Sequence, residues 1–317
     1  MNSKVFKLLL LASALSGYVQ PSGERPAAIT RHEGPVRISG AYALYPLLSL
    51  WVTEYQKSHP GAEFELTAKG SGVGLNDLVA GRIDLAMVSS ETLPAFDSLL
   101  WMTPVARIGV VLITSSQNPY LPQIKERGLT RSKLAMTFTA DPSQTWGEWF
   151  GNPGSDPVHP IVRNDSSGAT DQLARFLWQV PSDLTGIGVT GEDAMIAAVR
   201  DDPFALGYCN FIYAFDPASK QFTEGIVIVP LDREQKGQRI DSYYDSVPSL
   251  QRAMWSGKYP AGLIRNLGLA SMGKPASREI VEFLQWVLQD GQRLVAREGY
   301  IEVPSSQIRC RLESLKQ

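Results

Sequence analysis

The sequence predicts an α/β protein of two domains, and three observations carry that prediction. Strand-like and helix-like segments alternate along the chain, as they do where helices cover a largely parallel sheet. The 317 residues are more than one small core organises. An apolar run at 108–114 leads into the polar Ser115-Ser116-Gln117-Asn118-Pro119, which suits a crossover between domains. Hydrophobic residues make up 44% of the chain and charged residues 20%, the balance of a soluble globular protein.

The first strand is expected at 36–39, ending at Gly40. Pro46 suits a first helical position, where its missing N–H costs nothing. Leu47, Leu48, Trp51, Val52 and Tyr55 then mark one helical face. Phe64, Leu66 and Ala68 alternate as in a strand. A glycine-rich turn is expected over 70–74, followed by Leu75, Leu78 and Val79 at helical spacing and by Gly81 as a stop. The nearly continuous apolar run at 83–88 reads as a buried parallel strand, and 108–114 as another.

Beyond the crossover come apolar segments at 134–138 and 160–162. A helix follows, marked by Leu173, Phe176 and Leu177, then a helix at 194–199 and a strand at 205–209. Residues 226–229 read as the return crossing. The tail holds a strand at 263–270 and an amphipathic helix with Ile280, Phe283, Leu284, Val287 and Leu288 on one face. The polar stretch 233–245 reads as a surface loop. Trp101, Trp146, Trp149 and Trp255 are expected to pack in the core or at a hinge.

At the N-terminus, Lys4 and Lys7 flank the start of a short apolar run at 8–15, followed by small residues and then Pro21, Ser22 and Gly23. This reads as a secretory signal with cleavage after Ala14, the alternative being an uncleaved anchor. The apolar run is short for a membrane span. The formal net charge is −2, so no broad basic surface for nucleic acid is indicated. Cys209 and Cys310 are the two cysteines. In an exported protein they could form a disulfide, but Cys209 lies in an apolar strand and could equally be a buried free thiol.

Three segments carry the chemistry: 40–46, 70–74 and 166–169. Each lies between a strand-like element and a helix start. Such turns gather at the carboxyl edge of a sheet, where ligands bind. A helix N-terminus offers unpaired N–H groups and the positive end of its dipole to an anion. The stretch Arg163-Asn164-Asp165-Ser166-Ser167-Gly168-Ala169-Thr170 adds a guanidinium and two serine hydroxyls. Taken singly, each segment is an ordinary turn; their joint occurrence points to a small oxyanion.

Their order and spacing resemble the periplasmic phosphate-binding proteins of ABC importers. The matching runs are Gly40-Ala41-Tyr42-Ala43-Leu44-Tyr45-Pro46, Lys69-Gly70-Ser71-Gly72-Val73-Gly74, Arg82-Ile83-Asp84-Leu85-Ala86-Met87-Val88-Ser89-Ser90 and the Arg163 stretch. Gly207-Tyr208, Tyr259-Pro260 and the tail from Gly273 to Tyr300 extend the similarity over about residues 35–305. The resemblance implies a type II, two-lobed, hinged α/β binding protein. After the N-terminal segment 1–34, one lobe is expected from 35–115 plus 226–317 and the other from 116–225.

The resemblance further implies a ligand site of Leu44, Tyr45, Ser71, Ser89, Arg163, Ser167, Gly168 and Ala169. Arg163 would neutralise charge with Asp165 orienting it. Ser71 and Ser167 would donate hydroxyl hydrogens, and Tyr45, Gly168 and Ala169 backbone N–H groups. It implies a monomer in the periplasm that captures inorganic phosphate, needs no cofactor and docks on an inner-membrane ABC permease.

Three positions depart from the family pattern. Leu44 and Ala169 stand where many relatives have threonine. Ser89 stands where one branch has an aspartate that accepts the proton retained by phosphate. Serine can donate or accept, whereas a carboxylate only accepts. Sulfate, molybdate, tungstate, or an organic phosphate or carboxylate are therefore alternative ligands, with Glu91 a nearby substitute acceptor. A phosphate sensor is a further alternative role. An enzyme is disfavoured, because His32, His59 and His159 are scattered without metal spacing. Gly70-Ser71-Gly72 is no nucleophile elbow, and 70–74 lacks the Lys-Ser/Thr ending of a nucleotide-binding loop.

Overall fold

The computed structural model describes residues 34–89, 99–139, 144–151, 156–232 and 242–316. Strand β1 (Val36–Gly40) leads through a tight turn into helix α1 (Tyr45–Ser58), which Pro46 opens and whose buried residues are Leu47, Leu48, Trp51, Val52 and Tyr55. Strand β2 (Phe64–Ala68) returns parallel to β1. Helix α2 (Ser71–Val79) and strand β3 (Leu85–Val88) follow, β3 lying on the other side of β1. Neighbouring side chains of β3 point to opposite faces. Leu85 and Met87 enter the core beneath α1, while Ala86 and Val88 meet Leu75 and Leu78 of α2. This two-sided burial explains the continuous apolar run in the sequence.

Helix α2 begins earlier than the glycine-rich turn predicts. Gly70 alone takes the left-handed conformation, with φ of +88°, and Gly72 and Gly74 are helical. Gly74 is required by close approach: a Cβ there would lie 2.7 Å from the Gly40 Cα and 2.8 Å from the Ser39 carbonyl oxygen. The missing side chain lets the first turn of α2 rest on the end of β1.

Strand β4 (Leu100–Ser115) is 16 residues long and passes through both halves of the molecule. Its first part pairs with β9 (Ile264–Met272) from Leu100↔Met272 to Gly109↔Ile264, with a register shift between Pro104 and Ala106. Proline has no N–H for the ladder, so it sits at the irregularity. The second part pairs with β7 (Ala205–Asn210) and with β8 (Ile226–Ile228).

Between β4 and β7 the chain forms α3 (Leu121–Arg127), α4 (Arg131–Thr139), α5 (Trp146–Phe150), β5 (His159–Arg163), α6 (Gly168–Phe176), β6 (Ile187–Val189) and α7 (Glu192–Asp201). The chain closes with α8 (Val247–Trp255) before β9, and with α9 (Arg278–Leu288), α10 (Gln292–Val295) and α11 (Ser305–Lys316) after it. The strand order is β2-β1-β3-β9-β4-β7-β5-β6, with β8 also on β4.

Two large cores flank this strand path. One gathers α1, α9 and the β1, β3 and β9 side chains. The other gathers α4, α6, α7 and α8 with the second half of β4. The packing division differs from the expected boundaries at 115/116 and 225/226. Val110 to Ile113 already belong to the second core, as do Ile226, Val247, Leu250, Met254 and Leu263. The cause is β8: the segment read as the return crossing pairs with 113–115 and keeps the chain with the second core until β9.

Trp146 is fully buried, but Trp255 is 60% exposed, against the expectation of core packing. Cys209 is a buried free thiol and Cys310 an exposed one, so the two do not pair. The expected signal segment, Glu91 and residues 233–241 of the expected loop lie outside the described residues; 242–245 form a 3-10 turn. No helix among the described residues is long and apolar enough to cross a membrane.

Candidate functional site

A polar cleft lies where the turns after β1, β3 and β5 face one another. It is lined by Ala41, Tyr42, Ala43, Gly70, Ser71, Ser89, Arg163, Ser166, Ser167, Gly168, Glu192, Asn210 and Arg265. On the first half, the Gly40 carbonyl accepts the N–H groups of Lys69 and Gly70, which ties the β1 turn to the start of α2. Ser71 opens α2, and its Oγ accepts the Ser89 N–H at 3.1 Å. With that lone pair engaged, the Ser71 hydroxyl hydrogen remains to donate.

On the second half, Ser167 caps α6, its Oγ accepting from the Thr170 N–H. Gly168 follows, at the point where the halves touch. A Cβ there would lie 2.5 Å from the Ser89 Oγ and 2.6 Å from the Ser89 carbonyl oxygen. Glycine is therefore needed for the α6 N-terminus to reach the turn after β3.

Arg163 ends β5 with its side chain 2% exposed. Its Nε and Nη2 donate to the two Asp165 oxygens at 2.6 and 2.5 Å, and Nη1 pairs with Glu192 Oε1 at 3.0 Å. Its own N–H donates to the Tyr208 hydroxyl at 3.1 Å, which is also bonded to Thr170 Oγ1 at 2.8 Å. Burial alone would pull the guanidinium pKa down. Asp165 and Glu192 outweigh it and hold the pKa above the ordinary value. Burial raises the Asp165 carboxyl, but Arg163 and the Gly191 N–H hold it below the usual carboxylate range. Glu192 is pushed up by burial despite Arg163 and the Asn210 N–H.

Arg265 comes from β9 and is 1% exposed. Its Nε donates to the Ser89 Oγ at 2.8 Å and to the Ser89 carbonyl at 3.1 Å. Its Nη2 donates to Asn210 Oδ1 at 2.6 Å. Its Nη1 has no hydrogen-bond partner among the described residues. Burial lowers its pKa to about 10, against the pull of Glu192 and Asp171.

Of the residues singled out in the sequence, the structure brings Ser71, Ser89, Arg163, Ser167 and Gly168 together in the cleft. Asp165 sits behind Arg163. Leu44, Tyr45 and Ala169 stand behind the lining. Leu44 is fully buried in the first core, and Ala169 is buried in the second. The Leu44 and Tyr45 N–H groups donate to the Ala41 and Tyr42 carbonyls, so the turn consumes the Tyr45 donor expected to face the ligand. Glu192, Asn210 and Arg265 are lining residues that the sequence reading missed. Arg265 left one legible trace, a charged residue inside a mostly apolar strand run.

No cluster of three or more metal-ligating side chains occurs among the described residues. The cleft presents hydroxyl and guanidinium hydrogens around a small space, an arrangement suited to binding an oxyanion.

A polar cleft between two α/β halves defines a solute-binding architecture. A sequence model of the PBP superfamily domain matches residues 22–290, and the chain belongs to that family. It is 26% identical to the phosphate-binding protein PstS 3 of Mycobacterium leprae, over 86% of this chain and 83% of that one. Among solved structures it is similar to a protein of Clostridium perfringens with bound phosphate, at TM-score 0.68 and 20% identity, covering 85% of this chain and all of that one. An ABC-type phosphate transport receptor of Vibrio cholerae has TM-score 0.64 and 17% identity, covering 84% and 100% of the two chains. Both show a shared two-lobed fold.

Proposed function

We propose that this protein is an exported solute-binding protein that captures inorganic phosphate between its two lobes and delivers it to an ABC importer. The observation that carries the reading is the convergence of Ser71, Ser89, Arg163, Ser167 and Gly168 on one cleft from both halves of the molecule. Relatives named for phosphate binding, and a similar receptor named for ABC-type phosphate transport, support the same ligand and partner. The protein acts as a monomer in the periplasm, reached through the N-terminal signal, and performs no covalent chemistry.

Hinge closure follows from the energetics. A ligand favours a closed form only through contacts it makes better there than in the open form, and here donors come from both halves. Ser71, Ser89 and Ser167 donate hydroxyl hydrogens, the Gly168 N–H adds the α6 terminus, and Arg163 retains an N–H on each terminal nitrogen. Charge-assisted hydrogen bonds contribute roughly 1.5–3 kcal/mol each, so a few of them reach micromolar affinity, about −8 kcal/mol.

A second reading, the same fold binding sulfate, molybdate or tungstate, is favoured by a specific observation. The Ser89 Oγ already accepts from Arg265, and the Glu192 oxygens already accept from Arg163 and Asn210. Glu192, the carboxylate among the described lining residues, is thus already engaged by Arg163 and Asn210, and no aspartate directly follows β3 to take the proton of hydrogen phosphate. Calorimetric titration of the anion-stripped protein decides between the readings. Phosphate binding that excess sulfate does not displace is the expected result. Binding of sulfate or molybdate with no response to phosphate would replace the first reading by the second.

A further inference from the structure

Arg163 carries the residue type and position expected of an anion's counter-charge, but its charge is already matched. Its guanidinium bonds both oxygens of Asp165 and one of Glu192. With both carboxylates ionised, this trio leaves no positive excess in the cleft. Arg265 is the opposite case. Its hydrogen-bond partners, Ser89 and Asn210, are neutral. Glu192 and Asp171 act on it through space only. A buried cation with neutral partners carries a desolvation cost that a counter-ion offsets. The Nη1 group, which has no partner among the described residues, belongs to a side chain that lines the cleft beside Ser89, Ser167 and Gly168.

We infer that Arg265 supplies the positive charge that holds the ligand anion, donating through Nη1, while the carboxylate-matched Arg163 contributes hydrogen bonds and shape. Nε and Nη2 fix the plane of the fork: one bonds the turn after β3 and the other the end of β7. The guanidinium is therefore preorganised before an anion arrives, and little side-chain freedom is lost on binding. Because the Ser89 Oγ accepts from Nε, its hydroxyl hydrogen is left to donate to the same anion. A Cβ at Gly168 would lie 3.1 Å from Nε, so the α6 N-terminus meets the anion beside this guanidinium. The inference rests on the oxyanion-binding reading above.

The test compares Arg265→Gln and Arg265→Lys with the parent. Each is titrated calorimetrically with inorganic phosphate, sulfate and molybdate, with thermal denaturation of the anion-free proteins alongside. Loss of one charged contact should weaken binding by roughly 10- to 100-fold in Arg265→Gln. Arg265→Lys, which keeps the charge but not the fork, should retain more affinity than Arg265→Gln. A purely structural role predicts a different pattern: both variants equally weakened, with unliganded stability falling in step. Affinity within threefold of the parent in Arg265→Gln would overturn the inference and leave the oxyanion reading intact. A parent protein that binds none of the three anions would overturn both.

Discussion

At the residue scale, Gly168 is the sharpest test of how the cleft closes. Its missing side chain brings a helix N-terminus within contact of Ser89, and a methyl group there meets the backbone oxygen at 2.6 Å. Backbone cannot step aside as a flexible side chain can. Gly168→Ala should therefore separate the two halves of the cleft and destabilise the packed form by about 1–3 kcal/mol. The checks are phosphate titration, where affinity should fall at least tenfold, and thermal denaturation. An alanine variant that binds like the parent would show that this contact does not set the cleft. Gly168, Ser167 and Arg163 were legible in the sequence because they are local: a strand end, a cap and a helix start within six positions. Arg265 was not, because its meaning depends on Ser89 and Asn210, which lie 176 and 55 residues away in the chain.

At the element scale, helices were the most legible features and turn chemistry the least. The apolar face read for α9 corresponds to its buried residues, Ile280, Phe283, Leu284, Val287 and Leu288. The same holds for α1, because helical periodicity is a property of neighbouring residues alone. Ser277 caps α9 by accepting the Ile280 N–H. Ser277→Ala should lower stability by about 1 kcal/mol, measured by chemical denaturation with an unchanged slope, and should leave anion affinity unaltered since α9 lies away from the cleft. The expected turn over 70–74 became mostly helix because glycine in a sequence signals either a special backbone angle or a close approach. Gly70 answers to the first and Gly74 to the second. Likewise β8 looked like a crossing strand, and its pairing with 113–115 kept it in the second half.

At the scale of the whole molecule, β4 is the shared element. Its two parts pair with strands that belong to different cores, so the halves are coupled by continuous backbone while the cleft between their turns is closed by polar contacts. A ligand held by both halves stabilises the native form by mass action. At a phosphate concentration 100-fold above its dissociation constant the gain is about 2.7 kcal/mol. The expected rise in Tm is roughly 4–5 °C, followed by calorimetry with and without phosphate. An unchanged Tm at saturating phosphate would contradict capture between the lobes.

What could be read before folding was whatever local order encodes. The alternation of strands and helices, the apolar faces, and the helix-start turns with their hydroxyls, glycines and arginine are all written in neighbouring residues. Hydrophobic period and cap chemistry act over a few positions, so those features needed no partner. Three matters were decided only in the tertiary structure: where the two cores divide, which loop residues face the cleft, and which arginine has a free charge. Leu44 and Ala169 turned into the cores because an apolar side chain is more stable there. Arg163 was matched by a carboxylate 29 positions further along, and Arg265 hydrogen-bonds only neutral groups. A charge in a sequence has a sign. Its availability to a ligand depends on which groups the fold places beside it.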